Sequence, residues 1–175
     1  MTEPARKTRW RGIGEYRDEA ELLLEQVGDA AGVVRGRLRA LLLKCPDGCG
    51  ETLGINLDER AGKAWMIDVR RGALTLYPSV WRAAGCKSDF IPWRDHIIWC
   101  DRFEKGNEEP DYDPALETLA LQAVEARRFR NGVEIAEQLG EIPWDVLRTL
   151  RRLVRAGLVE EGTGKLRGEF RLVAP

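Results

Sequence analysis

The residues best suited to chemistry are four cysteines, Cys45, Cys49, Cys86 and Cys100, in a chain of 175 residues. Cys45-Pro-Asp-Gly-Cys49-Gly50 follows directly on an apolar run. Two thiols on a tight, Gly-containing turn can face one point, and tetrahedral Zn²⁺ is built from such closely spaced pairs. Cys86 and Cys100 are the remaining thiols and flank a predicted hairpin, so its closure would bring them together. Asp89 and His96 stand nearby as substitute ligands. Four protein ligands would close the shell, making the zinc structural and worth about 10–16 kcal/mol of apparent binding energy to folding. The competing reading is a set of inert buried thiols, since free cysteine is among the most buried residue types.

Other chemistry is poorly supplied. His96 is the single histidine, so a cysteine nucleophile would have one candidate base and no orienting partner. No phosphate-binding loop, dinucleotide fingerprint or HExxH string occurs. Asp68 and the Glu108-Glu109 pair have no pocket context. Trp65, Trp81, Trp93 and Trp99 read as core residues before they read as a groove. These observations predict a non-catalytic protein with no small-molecule substrate.

The elements that would position the thiols are short and extended. Candidate strands are Arg37–Lys44, Thr52–Leu57, Ala64–Val69 and Ala73–Tyr77, each bounded by Gly, Asp or Pro. A hairpin over Phe90–Cys100 turns at Arg94-Asp95. Glu21–Val27 reads as a strand or a helix. Residues 101–112, acidic and punctuated by Gly and Pro, predict a linker.

Beyond the linker the period becomes helical. Asp113 can cap a helix with Pro114 in its first turn, and Leu116, Leu119, Ala120, Ala123 and Val124 form one apolar stripe. A second helix over Val133–Leu139 stops at Gly140, and a third from Pro143 to Ala156 stops at Gly157. Two extended arms, Leu158–Glu161 and Glu169–Val173, follow. Three helices and a hairpin give the order of a winged helix, a helix-turn-helix with a β-wing. The stretch AEQLG…VLRTLRRLVRAGLVEE resembles winged-helix sequences of bacterial regulators. Arg148, Arg151, Arg152 and Arg155 share one face of the third helix, and Lys165 and Arg167 sit in the wing, as a groove reader would have them. Against DNA, the helix opens on Trp144 and Asp145, where base readers want small polar or basic groups. Residues 101–175 also hold fifteen acidic and twelve basic side chains, a net of −3. Trp144 beside arginines suits a protein interface better.

The segment Glu19–Cys100 resembles a bacterial family of zinc-knuckle proteins, a domain of unassigned function. Its pieces here are Cys45-Pro-Asp-Gly-Cys49-Gly50, Leu74-Thr-Leu-Tyr-Pro78-Ser79, Cys86-Lys-Ser88-Asp89-Phe90-Ile91 and Ile97-Ile98-Trp99-Cys100. The family's "C-x-S-H" string has a histidine, a ligand candidate, where this chain has Asp89. The resemblance implies a setting beside ubiquitin-like conjugation components, in some cases in anti-phage defence.

Composition bounds the rest. Hydrophobic residues make up 43%, charged residues 33%, and the formal net charge is −1, so the chain is no polycation. No apolar run reaches the ~20 residues of a membrane span, and the basic N-terminal MTEPARKTRWRG lacks the apolar core of a signal peptide. The expectation is a cytoplasmic α+β protein. Residues 1–15 would be a basic flexible tail, 16–100 a small zinc-bound β-rich domain, 101–112 the linker and 113–175 the winged helix. It would act as a non-catalytic zinc adaptor for protein partners, ubiquitin-like pathway components among them. A DNA-binding winged-helix transcriptional regulator is the first alternative, and a ligase-like scaffold recruiting a conjugating enzyme the second.

Overall fold

A computed structural model describes residues 3–102 and 107–174. Residues 1–2 of the expected tail, 103–106 of the expected linker and the last residue of the expected winged helix lie outside the described residues. The chain divides into two compact units, Met1–Pro110 and Asp111–Pro175.

Unit 1 is built on a four-stranded sheet in the order β1-β2-β3-β4. Its strands are β1 (Arg9–Gly14), β2 (Asp29–Arg35), β3 (Arg37–Lys44) and β4 (Thr52–Asn56). β1 runs parallel to β2, which requires a crossover, and helix α1 (Arg17–Leu22) supplies it. Part of the ambiguous Glu21–Val27 segment is therefore helical. The strand β1 also corrects the expected flexible tail: its residues alternate exposed and half-buried, and Trp10 packs onto the core. Trp10 can do so because Gly32, two residues along β2 from its partner Ala30, has no side chain; a Cβ there would lie 3.0 Å from the indole and 2.5 Å from Leu38.

β3 shows how a period of two serves two cores. Leu41 and Leu43 join Ile55, Leu74, Leu76, Val80, Phe90 and Ile97 on one face. Leu42, between them, joins Ala20, Leu24, Ala31 and Val33 on the other. Burying each leucine is worth about 1.5–3 kcal/mol, so this strand anchors unit 1.

Beside the sheet stand the hairpin β5 (Met66–Arg70) and β6 (Ala73–Tyr77), and a three-stranded sheet β7-β8-β9. Its strands are β7 (Val80–Trp81), β8 (Asp89–Trp93) and β9 (His96–Trp99). The β8–β9 turn falls at Arg94-Asp95, both left-handed with φ of 46° and 68°, the two-residue turn that matches strand twist. Asp95 then receives the Leu74 N–H on its carboxylate (2.8 Å) and the Thr8 N–H on its carbonyl (2.7 Å), fixing the hairpin to β6 and to the N-terminal segment.

Unit 2 contains α2 (Ala115–Ala123), β10 (Arg130–Asn131), α3 (Gly132–Leu139), α4 (Pro143–Arg155), β11 (Val159–Glu161) and β12 (Glu169–Leu172). The strands form a sheet in the order β10-β12-β11. α4 lies at the centre, with Val146, Leu147, Leu150 and Leu153 buried against its neighbours. No helix among the described residues is long and apolar enough to cross a membrane.

Candidate metal centre

Two tight loops bring the thiols together. The first is the end of β3, where the Cys45 N–H bonds Glu51 O (2.8 Å) and the Gly48 N–H bonds Cys45 O (3.1 Å). Gly48 and Gly50 hold φ of 79° and 88°, a conformation costly for any residue with a side chain, so the Gly residues are what let Cys49 fold back towards Cys45. The second loop joins β7 to β8 and is closed by Arg82 N–H to Ser88 O (3.0 Å). Gly85 and Lys87, at φ of 71° and 55°, flank Cys86 and point it inward.

The Sγ atoms of Cys45, Cys49 and Cys86 all lie within 4.8 Å of one another. Cys45 and Cys86 are 3.7 Å apart. Two sulfurs on one tetrahedral zinc at the usual Zn–S length stand about 3.8 Å apart, so the spacing fits the ion. Three cysteines are thus close enough to hold a metal ion. The set differs from the four expected: among the described residues Cys100, Asp89 and His96 are not in this group. Cys100 is exposed, and its thiol is pushed up to about 11 by desolvation and by the neighbouring carboxylates of Asp89 and Asp101. His96 sits across from Trp93 at the turn end of the β8–β9 hairpin, while Asp89 pairs at the other end.

Arg82 occupies the fourth corner. It stands four residues before Cys86, as Cys45 stands four before Cys49, and its Nη1 lies 2.9 Å from Cys86 Sγ, 3.3 Å from Cys49 Sγ and 3.7 Å from Cys45 Sγ. Glu51 holds the other guanidinium nitrogen in an ion pair. A guanidinium cannot ligate a cation, but it balances thiolate charge. Buried Ser88 places its Oγ 3.1 Å from Cys86 Sγ. Burial tends to raise the Cys86 thiol, yet the Ser88 hydroxyl and backbone outweigh it and hold the thiol below its ordinary range. Cys45 goes the other way, pushed up to about 12 by burial. Neither Arg82 nor Ser88 was expected at the site; the repeated four-residue offset is the signal that would have found Arg82.

The residues expected to bind a partner are distributed over unit 2. Arg148 and Arg152 lie over the Tyr112 ring at 5.3 and 4.1 Å. Arg148 meets Asp145 at 3.5 Å, Arg151 meets Glu161 at 3.6 Å and Arg152 meets Glu117 at 3.5 Å. Asp145 is buried and Trp144 half-buried. Arg155, Lys165 and Arg167 are exposed.

Residues 18–100 match a family model described as bacterial ubiquitination-like system serine protease (BubE). The match spans the whole sulfur cluster and links this segment to that system. It also overturns the expectation of a non-catalytic chain, because the matched family is described as a protease. No curated protein matches the chain. No solved structure matches it either.

Proposed function

We propose that this chain serves a bacterial ubiquitination-like system as a serine hydrolase acting on a protein component, with its site held by zinc on Cys45, Cys49 and Cys86. The observation that carries the reading is Ser88, lying inside the family-matched segment with Oγ 3.1 Å from Cys86 Sγ. The chain has two serines, Ser79 and Ser88, both inside that segment. Of the two, Ser88 is the one whose hydroxyl stands within hydrogen-bond distance of the sulfur cluster, at Cys86 Sγ, where either atom can be the donor. Arg82, 2.9 Å from the same sulfur, is the nearby N–H donor for a developing oxyanion. A zinc ion on the three sulfurs would cross-link the two loops and neutralise their charge. Ser88 is fully covered, so attack on a substrate requires the site to open.

Unit 2 fits the same role as a winged helix that docks a protein. Its helix and strand order supports that fold, and the pairing of Arg148, Arg151 and Arg152 with carboxylates leaves α4 little free charge for phosphates. The test is incubation of the purified chain with the precursor of the system's ubiquitin-like protein, read by intact mass. Cleavage that survives Ser79→Ala and is lost in Ser88→Ala is expected. Cleavage unchanged in Ser88→Ala would refute the assignment.

A further inference from the structure

Two sheets of unit 1 end beside a common groove. β4 is the last strand of one sheet and β7 the last of the other. The groove is lined by consecutive residues of β4, by Trp65, and by 80–84 of β7 and its loop. Consecutive lining residues mean that it runs along the strand edge, where backbone groups are presented, and not over one face.

The hydrogen-bond phase shows which groups those are. Leu57 N–H bonds Arg39 O and Cys45 N–H bonds Glu51 O, so the odd-numbered residues of β4 face β3. Thr52, Gly54 and Asn56 therefore turn their N–H and C=O outward. Asn56 O is taken by the Trp65 N–H at 2.9 Å. The outward groups of Thr52 and Gly54 have no hydrogen-bond partner among the described residues. On the opposite bank, Arg82 N–H to Ser88 O sets the phase of β7, which turns Trp81 outward. Ser79 O, in the same phase, is taken by Trp65 Nε1 at 3.2 Å.

We propose that this groove receives an extended segment of a protein partner as an added strand, hydrogen-bonded to Thr52 and Gly54 and flanked by Trp65 and Trp81. Backbone donors and acceptors two residues apart on one edge match the repeat of an extended chain. A helix, whose own backbone bonds are used internally, would leave them unmet. Ala83 and Ala84 are the small residues on the opposite bank, and Trp81, 68% exposed, gives the segment's side chains an aromatic wall. Arg82 lines the groove and also meets the Cys86 sulfur, so the added strand passes beside the sulfur cluster. That the partner is a component of a ubiquitination-like system rests on the reading above; the strand addition does not.

The experiment uses the full chain and two fluorescein-labelled probes read by anisotropy. One is the C-terminal decapeptide of the system's ubiquitin-like protein, and the other a decapeptide selected from a displayed random library. N-methylation of the bound peptide should weaken it at alternate residues and leave the intervening ones unchanged. Thr52→Pro, which removes an outward N–H but no bond to β3, and Trp81→Ala should each weaken binding about tenfold. Circular dichroism checks that both variants fold, and Trp81→Ala carries the test if the proline does not. Binding of the library peptide alone, with this pattern, keeps the groove and removes the assigned partner. Peptides insensitive to alternate N-methylation and to both variants would overturn the inference, as would a dimer of the chain that occupies the groove.

Discussion

Cys45 Sγ and Cys86 Sγ lie 3.7 Å apart although 41 positions separate them in the chain. One sits at the end of a core strand and the other in a loop held between Gly85 and Lys87, so the pair ties the end of one sheet to a loop of another. An ion at this point would act as a cross-link.

The chain as purified without chelator should carry about one zinc. Cys45→Ser, Cys49→Ser and Cys86→Ser should each lose the metal and lower the melting temperature of unit 1, while Cys100→Ser should keep both. Elemental analysis with thermal melts checks this, and a Cys100→Ser variant free of zinc would contradict the three-sulfur site.

Arg82→Cys places a fourth thiol at the corner now held by the guanidinium. It should slow zinc release to a competing chelator about tenfold or more, since four thiolates close the tetrahedral shell. The same variant should lose any hydrolytic activity that depends on the Arg82 N–H. Unchanged release would mean that the side chain at 82 does not reach the ion.

Acid should destabilise unit 1 through Asp29. This carboxylate is 1% exposed and accepts bonds from Arg9 Nε (2.7 Å), Gln26 N (2.8 Å) and Glu25 N (2.9 Å). Burial tends to raise its pKa, but the Gln26 and Glu25 amides and Arg9 outweigh burial and hold it below the ordinary 3.8. A depressed carboxylate gives its full stabilisation above that ordinary value and loses it as pH falls through the folded one. Asp29→Asn should cost about 2 kcal/mol at neutral pH and flatten the acid limb of the stability curve. Denaturant melts at pH 7 and pH 3 measure both.

Gly132→Ala should weaken unit 2 alone. A Cβ at this buried position would stand 2.6 Å from Leu147 Cδ2 and 3.0 Å from Phe170 Cε2, so α4 or β12 must shift. Overpacking of this kind costs about 1–3 kcal/mol. Amide exchange should quicken in 111–174 and stay unchanged in unit 1; loss of protection throughout would mean that the two units unfold together.

Much of the fold was legible because local rules dictated it. The alternation in Arg37–Lys44, the paired left-handed residues at Arg94-Asp95 and the Pro143 start and Gly157 stop around α4 are each set by their own residues. β1 and β2 were not, since Arg9–Gly14 is basic enough to read as a tail and Asp29–Arg35 opens on Asp-Ala-Ala-Gly, residues with little strand preference. Their pairing depends on Trp10 finding space over Gly32, a relation between distant residues.

At the site the division is the same. The Cys45–Cys49 turn by itself determined a point where two thiols meet, because Gly48 and Gly50 permit the reversal. Only the tertiary structure decided that Cys86 completes the group, that Cys100 turns to Asp89 instead, and that Arg82 and Ser88 stand on the sulfurs. Those choices follow from which edges of β3, β7 and β8 meet, and sequence spacing across 41 residues carries no record of such a meeting.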